Sequence, residues 1–203
     1  MANLIEAIIF DMGGVLLKTV DPHPREALAS RFGTTREELE SFIFSSDTSL
    51  RSEIGEISDQ DHWKTVLRKF NQPIDNYQVI YDEYFSGDAI DDVLLSFVVS
   101  LKSKYCLGLL SNAWVNARRL LGARFYFIDE FDVSLFSYEV GLRKPDPKIY
   151  QLMVEKMGVK AGKTLFIDDI TANVEGAEIA GLRAIRYINT PTLIETITKI
   201  TNG

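Results

Sequence analysis

The sequence has little of what marks secreted, membrane-embedded or nucleic-acid-binding proteins. Its 203 residues include one cysteine, Cys106, so the chain cannot form a disulfide between two of its own cysteines. A single cysteine fits a reducing compartment. No apolar run reaches the roughly 18 residues that a membrane span requires. Acidic residues outnumber basic ones by 29 to 22, and the net charge of −7 argues against an extended nucleic-acid surface.

The composition that remains is that of an ordinary globular protein. Hydrophobic residues make up 46% of the chain and charged residues 25%. The first segment, MANLIEAIIF, has no basic region and too short an apolar run for a signal peptide. We therefore expect a cytoplasmic protein with no membrane or nucleic-acid partner. The length suits one domain, or one domain with a sizeable insertion. The sequence does not indicate an oligomeric state.

Strand-like and helix-like segments alternate along most of the chain. Short apolar runs predict buried strands at Ala7–Phe10, Tyr105–Leu110, Phe131–Phe136, Thr164–Ile167 and Ala184–Tyr187. Helical patterns fall between most of them, and this alternation predicts an α/β fold with a parallel sheet covered on both faces.

One long segment breaks this alternation. From about Pro24 to Phe85 the pattern predicts several helices and no strand. We interpret this segment as an insertion into the α/β core and not as a tandem domain. The expected division is a core made of residues 1–17 and 92–203, and a helical insertion of residues 18–91.

Polar residues follow three of the predicted strands. Asp11 follows AIIF, Ser111 and Asn112 follow CLGLL, and the pair Asp168 and Asp169 follows TLFI. Ligands of open parallel sheets bind at the carboxyl ends of the strands, so these residues are expected to converge. Lys144 joins them, in GLRKPDP between a strand and a helix start. Each residue alone has an ordinary explanation as a turn or cap residue; their common placement favours a functional site.

The charges at this edge constrain its chemistry. Three neighbouring carboxylates repel one another, and a divalent cation would remove the conflict. Oxygen ligands favour Mg²⁺. With a lysine, a hydroxyl and an amide, such a site suits a phosphoryl group. Asp11 is the better candidate nucleophile because Gly13 and Gly14 follow it and let a substrate approach closely.

These motifs resemble those of the haloacid dehalogenase superfamily across essentially the whole chain. FDMGGVLL is similar to the first motif, LLSN to the second, GLRKPDPKIYQ to the third and LFIDDITANVEGA to the fourth. The family places a helical cap between its first two motifs, where the insertion lies here. The chain looks closest to the subgroup with an α-glucose-1-phosphate phosphatase and the N-terminal phosphatase domain of soluble epoxide hydrolase.

The resemblance implies a role for each matching residue, and the implied roles can be grouped by function. The implied catalytic residues are the nucleophile Asp11 and the stabilising cation Lys144. The implied phosphate-binding residues are Gly13, Gly14, Ser111, Asn112 and Lys144, and the implied Mg²⁺ ligands are Asp11, the Gly13 carbonyl, Asp168 and Asp169. The resemblance thus implies a Mg²⁺-dependent phosphatase of a small phosphorylated metabolite, a sugar phosphate being one candidate, that acts through an aspartyl-phosphate.

One departure from the family pattern concerns the general acid. Phosphatases of the family usually carry a second aspartate two places after the nucleophile, and here that place is Gly13. A glycine carbonyl can still face a metal, but glycine cannot protonate a leaving alkoxide. General acid catalysis is worth roughly 10² to 10⁴ in rate. His23 and His62 lie in the insertion and titrate near neutrality, although surface or structural roles explain both.

Two alternatives stay open at this point. A metal-independent 2-haloacid dehalogenase-like hydrolase also lacks the second aspartate, but the pair Asp168 and Asp169 argues against it. A non-catalytic regulator that binds phosphate or metal is the other alternative. It would have no need of the nucleophile Asp11.

Overall fold

The computed structural model describes residues 5–202 and contains an α/β fold. In chain order the strands are β1 (Ala7–Phe10), β2 (Leu17–Thr19), β3 (Asp88–Ile90), β4 (Cys106–Ser111), β5 (Val133–Phe136), β6 (Thr164–Asp168) and β7 (Arg183–Arg186). Five of them form one sheet in the order β5-β4-β1-β6-β7, and every neighbouring pair is parallel. This confirms the predicted fold class.

Strand β1 lies at the centre of the sheet, and its sequence explains why. Its four residues, AIIF, are all fully buried, as expected for a parallel strand covered on both faces. Ile8 pairs with Leu107 on one side and Leu165 on the other. The register therefore brings the ends of β1, β4 and β6 to the same edge.

Eleven α-helices lie within the described residues. They are α1 (His23–Arg31), α2 (Arg36–Ser45), α3 (Asp47–Glu53), α4 (Asp59–Lys69), α5 (Tyr77–Tyr84), α6 (Asp92–Leu101), α7 (Ala117–Phe125), α8 (Ser137–Val140), α9 (Pro147–Met157), α10 (Thr171–Ile179) and α11 (Thr190–Asn202). Helices α6 and α11 bury their apolar residues on one face of the sheet, and α9 and α10 on the other. None of the described helices combines the length and hydropathy needed to cross a bilayer.

Helices α1 to α5 follow β1 and precede β4, as the sequence predicts. They share an apolar cluster, which includes Leu28, Leu39, Trp63 and Tyr84 and to which the core contributes Trp114. The chain enters and leaves this helical segment through β2 and β3, which pair antiparallel from Leu17 opposite Ile90 to Thr19 opposite Asp88. The expected boundary after residue 17 falls inside β2, so the two connections form a short ladder and not two loose linkers.

Two helices differ from the sequence prediction. The segment Trp114–Leu121 has the sequence pattern of a helix, but helix α7 begins later, at Ala117, because Asn116 has a left-handed backbone with φ of 72°. Helix α11 was not predicted. Its threonines lower helix propensity, yet Leu193 and Ile197 lie four residues apart and bury one face against the sheet layer.

Candidate active site

The sheet brings the predicted polar residues to one edge. Asp11 follows β1 directly, and its N–H donates to the carbonyl of Ile167 at 2.8 Å, which fixes the turn against β6. Ser111 is the last residue of β4 and Asp168 the last of β6. All three are buried. We call the group Asp11, Lys144, Asp168 and Asp169 the acidic end.

Lys144 connects the acidic end. Its ammonium lies 2.6 Å from Asp11 Oδ1 and 2.6 Å from Asp168 Oδ2. The side chain is 1% exposed, so both ion pairs are shielded from solvent. The two carboxylates outweigh burial and raise the pKa of Lys144, which therefore stays charged.

Asn112 holds the Lys144 loop in place. Its amide nitrogen donates to the carbonyl of Lys144 at 2.9 Å, and the N–H of Lys144 donates to Asn112 Oδ1 at 2.8 Å. The amide of Asn112 is thus engaged by a main chain, and its contact with phosphate stays a prediction. Ser111 Oγ donates to the Asn112 carbonyl at 3.2 Å and lines the cavity described below.

Asp168 is oriented by groups that the sequence motifs only partly indicate. The amide of Asn173 donates to both carboxylate oxygens at 3.0 Å, and the N–H of Ile170 donates to Oδ1 at 2.8 Å. Tyr150 in turn donates to the Asn173 carbonyl at 2.7 Å. The spacing of Asn173 after Asp169 suggests an orienting role. No sequence signal points to Tyr150.

The acidic end has the composition of a site for a hard divalent cation. Asp11, Asp168 and Asp169 each place one oxygen within 4.8 Å of the others. Asp169 Oδ1 is buried and has no hydrogen-bond partner among the described residues. Burial raises the pKa of Asp11 to about 7, with Lys144 opposing the shift and Asp168 adding to it. Burial and Asp168 also raise the pKa of Asp169. One lysine against three carboxylates leaves negative charge that Mg²⁺ would balance.

The two glycines after Asp11 differ in their surroundings. Gly14 has φ of +81°, and a Cβ there would lie 2.3 Å from Asp169 Oδ2, so glycine is required for this approach. At Gly13 a Cβ would have nothing within 4 Å. The site therefore has open space where family phosphatases usually carry an aspartate.

Neither histidine of the helical segment reaches this space. His23 is exposed and pairs with Asp21 at 2.7 Å. His62 is fully buried, accepts or donates at 3.0 Å with Thr48 Oγ1, and packs 4.8 Å from the Trp114 ring. Burial lowers the pKa of His62 to about 4. Neither residue lines the cavity, so neither is placed to act as the acid.

A cavity of about 1000 Å³ opens from the acidic end towards the helical segment. Its lining includes Asp11, Ser111, Lys144 and Asp169 at one end. Glu53 of α3 reaches across from the helical segment and accepts from Arg143 Nε at 2.6 Å. This ion pair joins the helical segment to the residue before Lys144. Sequence motifs do not indicate it, because the partners are far apart along the chain.

The sheet is parallel, Lys144 bridges the acidic cluster at its carboxyl edge, and a helical segment is inserted after the first strand. Together these three features define a class of hydrolytic enzymes. The family model for haloacid dehalogenase-like hydrolases matches residues 5–181. The chain belongs to this family, which confirms the resemblance and the prediction of a hydrolase.

Individual relatives extend the comparison. Bifunctional epoxide hydrolase 2 of Sus scrofa is 28% identical over 134 residues, which are 63% of this chain and 24% of that protein. The chain thus spans about a quarter of the length of that relative. Phosphorylated carbohydrates phosphatase of Thermotoga maritima is 29% identical over 186 residues, which are 89% of this chain and 84% of that protein.

A solved structure matches the fold over most of both chains. It is a haloacid dehalogenase family enzyme of Bacteroides thetaiotaomicron, in complex with magnesium and inorganic phosphate. The TM-score is 0.75 at 22% identity, and the match covers 91% of this chain and 94% of that chain. At this identity the likeness concerns the fold.

Proposed function

We propose that the chain is a Mg²⁺-dependent phosphatase that hydrolyses a small phosphorylated metabolite through an aspartyl-phosphate on Asp11. The observation that carries the proposal is the buried Lys144 ammonium, 2.6 Å from both Asp11 and Asp168, with Asp169 beside them. Two similar proteins support it by their names: a phosphatase of phosphorylated carbohydrates, and a family enzyme that holds magnesium and phosphate. A sugar phosphate is accordingly one candidate substrate class.

The first half of the reaction uses residues at the ends of β1 and β4. A carboxylate oxygen of Asp11 attacks phosphorus, and the ester P–O bond breaks towards the leaving alcohol oxygen. Lys144 stabilises negative charge on the transferring group, and Ser111 Oγ would donate to one of its oxygens in place of the Asn112 carbonyl. Asp11, Asp168, Asp169 and the Gly13 carbonyl would hold Mg²⁺, which when bound neutralises phosphoryl charge.

In the second half, water attacks the phosphorus of the aspartyl-phosphate. The P–O bond to Asp11 breaks, which releases inorganic phosphate and restores the carboxylate. Because Gly13 cannot act as an acid or base, water, the substrate or a residue of the helical insertion would have to carry these protons. We therefore expect slow turnover of substrates with poor leaving groups.

The helical insertion, residues 18–91, is proposed as the cap of this site. It contributes one side of the cavity and joins the core through the ladder of β2 and β3 and through the pair Glu53–Arg143. A cap would exclude water and limit substrate size. We assign the reaction to the cytoplasm, in keeping with the single cysteine.

The proposal is tested with p-nitrophenyl phosphate, whose leaving group departs without an acid. Hydrolysis should require Mg²⁺, stop with EDTA, and fall at least about 10³-fold in Asp11→Asn. Asp129→Asn, an exposed aspartate outside the cavity, is the matched control and should stay within twofold of the unchanged protein.

Mass spectrometry after rapid quenching should find a phosphoryl group on the peptide that contains Asp11. Activity that survives Asp11→Asn or EDTA would refute the proposal. Release of halide from 2-haloacids without metal would favour the dehalogenase alternative. Binding of phosphate without any turnover would favour the regulator.

A further inference from the structure

The cavity is much larger than a phosphoryl group needs. Its volume of about 1000 Å³ lies at the upper end of the range for small-molecule sites. It runs without interruption from Asp11 to helix α7 and the inner face of the helical segment. The part beyond the acidic end therefore receives the body of the substrate, which is everything other than the phosphoryl group. The lining of that part determines which substrates fit. This inference rests on the proposed phosphatase function.

The far part of the cavity is lined mainly by large apolar side chains, which we call the apolar wall. Its members are Phe44, Leu50, Phe85, Leu120, Leu121 and Phe125. Phe44 is 39% exposed and Leu50 37%, although both belong to helices that also pack inward. Helix α7 supplies three members, none of them fully buried, and Leu121 and Phe125 also pack partly against the core. These side chains thus leave apolar area uncovered at a single concave surface.

The rings of the apolar wall are held in position by their neighbours. Phe44 stacks on Trp114 with ring centroids 5.6 Å apart and an interplanar angle of 14°. Trp114 is buried, and its indole N–H donates to Ser49 Oγ at 3.1 Å. Phe85 lies 6.2 Å from the same indole ring. The wall is therefore a formed surface and not a set of loose side chains.

The charged residues around the apolar wall already have partners. Nη2 of Arg25 donates to both carboxylate oxygens of Asp88, at 2.8 and 2.9 Å. Lys18 pairs with Asp91 at 2.6 Å. A sugar has hydroxyl groups on every face, and those hydroxyl groups would compete with these pairs for donors and acceptors.

Arg124 continues this pattern at the rim. Its guanidinium donates to the carbonyls of Phe85 and Ser86 at 2.9 and 3.2 Å. Tyr81 and Asp82 are further polar residues of the lining, against the six apolar members of the wall. An aliphatic chain has no polar groups that need partners, so the paired charges cost it no hydrogen bonds. It gains binding free energy by covering the apolar wall.

We propose that the substrate is a phosphate monoester of an aliphatic alcohol, whose chain of about six or more carbons lies on the apolar wall. The reaction adds water across the P–O bond. The phosphate keeps the oxygen of water, and the alcohol leaves with a proton. Each buried methylene contributes about 0.8 kcal/mol, which corresponds to roughly fourfold in binding.

The test is a series of linear alkyl phosphates from butyl to octyl, all kept below their critical micelle concentrations. We expect kcat/KM to rise two- to fourfold for each methylene, and therefore at least about 16-fold over the four methylenes from butyl to octyl phosphate. Glucose 6-phosphate and glycerol 3-phosphate should fall below butyl phosphate. A flat series, or a sugar phosphate that exceeds octyl phosphate, would overturn the inference.

Variants of the wall separate this effect from a general loss of activity. Leu50→Gln and Leu120→Gln should each lower the octyl-to-butyl ratio of kcat/KM at least threefold. Val99→Gln is the matched control, because Val99 is 39% exposed against 37% for Leu50, lies in a helix and does not line the cavity. The control should leave the ratio unchanged. Equal ratios in all three variants would overturn the assignment of the wall.

A binding measurement keeps this inference distinct from the phosphatase proposal. Calorimetric titration of Asp11→Asn with butyl and octyl phosphate, in the presence of Mg²⁺, needs no turnover. If p-nitrophenyl phosphate is not hydrolysed but octyl phosphate binds at least tenfold tighter than butyl phosphate, the phosphatase proposal fails. The assignment of an aliphatic ligand to the apolar wall is then supported without it. If hydrolysis occurs but chain length has no effect on binding or kcat/KM, only the inference of an aliphatic substrate is refuted.

Discussion

The two ends of the cavity are built on different principles. At the acidic end, charged side chains are buried, and Lys144 is 1% exposed between two carboxylates. At the apolar wall, uncharged side chains are left exposed, and Phe44 is 39% exposed. Each end thus holds the kind of group that folding alone would place elsewhere.

This contrast separates chemistry from specificity. The acidic end is fixed by strand ends and by hydrogen bonds from Asn112 and Asn173, so its geometry follows from the core. The apolar wall comes from helices α2, α3 and α7 and from Phe85 at the end of α5, and the apolar clusters cover these side chains only in part. Substitutions at the acidic end should change the rate for every substrate. Substitutions at the apolar wall should change the order of preference among substrates.

The largest effect is expected from removing the cation at the acidic end. Lys144→Met should lower kcat for p-nitrophenyl phosphate about 10³-fold, because a preorganised charge is lost. It should also lower the free energy of unfolding by roughly 3–5 kcal/mol without Mg²⁺, since two buried carboxylates lose their partner.

Lys163→Met is the control for that variant. Lys163 is half-exposed and pairs with Glu6 at the surface, so this variant should stay within twofold in rate. Urea unfolding and steady-state kinetics measure both quantities. If the two lysine variants behaved alike, the acidic end would not be the preorganised site that the comparison requires.

A gain of rate is expected at the open position beside the nucleophile. Gly13→Asp should raise kcat for octyl phosphate about 10- to 100-fold, because the new carboxyl group can protonate a poor leaving alkoxide. The gain for p-nitrophenyl phosphate should be smaller, since its phenolate leaves unaided. The ratio of the two gains is the quantity to measure.

Gly162→Asp provides the matched control, because a Cβ at Gly162 also has nothing within 4 Å. It should not change either rate. Equal gains for both substrates in Gly13→Asp would contradict the idea that the acid is what this site lacks.

The smallest effect concerns the interior of the helical segment, behind the apolar wall. The pKa of His62 is about 4 when folded and about 6.5 when unfolded, so the unfolded chain takes up the proton first as pH falls. Above about pH 7, His62 is neutral in both states and does not lower the free energy of unfolding. The free energy of unfolding should fall by about 2 kcal/mol between pH 7 and pH 5.

His62→Gln should flatten this part of the stability profile in urea titrations at several pH values. His23→Gln, a change at an exposed histidine, should leave the fall in place. A profile that His62→Gln does not alter would mean that the buried ring is protonated in the folded chain, and the helical segment would then tolerate charge as the acidic end does.

The sequence predicted the acidic end better than the rest of the molecule. Buried strands are short apolar runs, and a polar residue directly after such a run has a defined place at the edge of a parallel sheet. Asp11, Ser111 and Asp168 were therefore placed by local pattern alone. The roles of Gly13, Gly14 and Asn112 in phosphate binding stay predictions.

What the sequence did not predict depends on contacts between distant segments. The pairs Arg25–Asp88 and Glu53–Arg143 join residues far apart along the chain. The apolar wall was also not predicted, because an apolar helix residue that lines a cavity has the same pattern as one that lines a core. Helix α11 was hidden by its threonines, whose cost is offset by burial of Leu193 and Ile197.

The ladder of β2 and β3 has a consequence for how the chain reaches this fold. The centre of the sheet pairs β1 with β4, and the whole helical segment lies between them in sequence. Once Thr19 and Asp88 have paired, the loop that must close between these strands is several-fold shorter, which lowers the entropy cost by roughly 1 kcal/mol. The effective contact order falls with it. We therefore expect the sheet to assemble faster when the ladder of β2 and β3 forms before β1 pairs with β4 than when it forms afterwards.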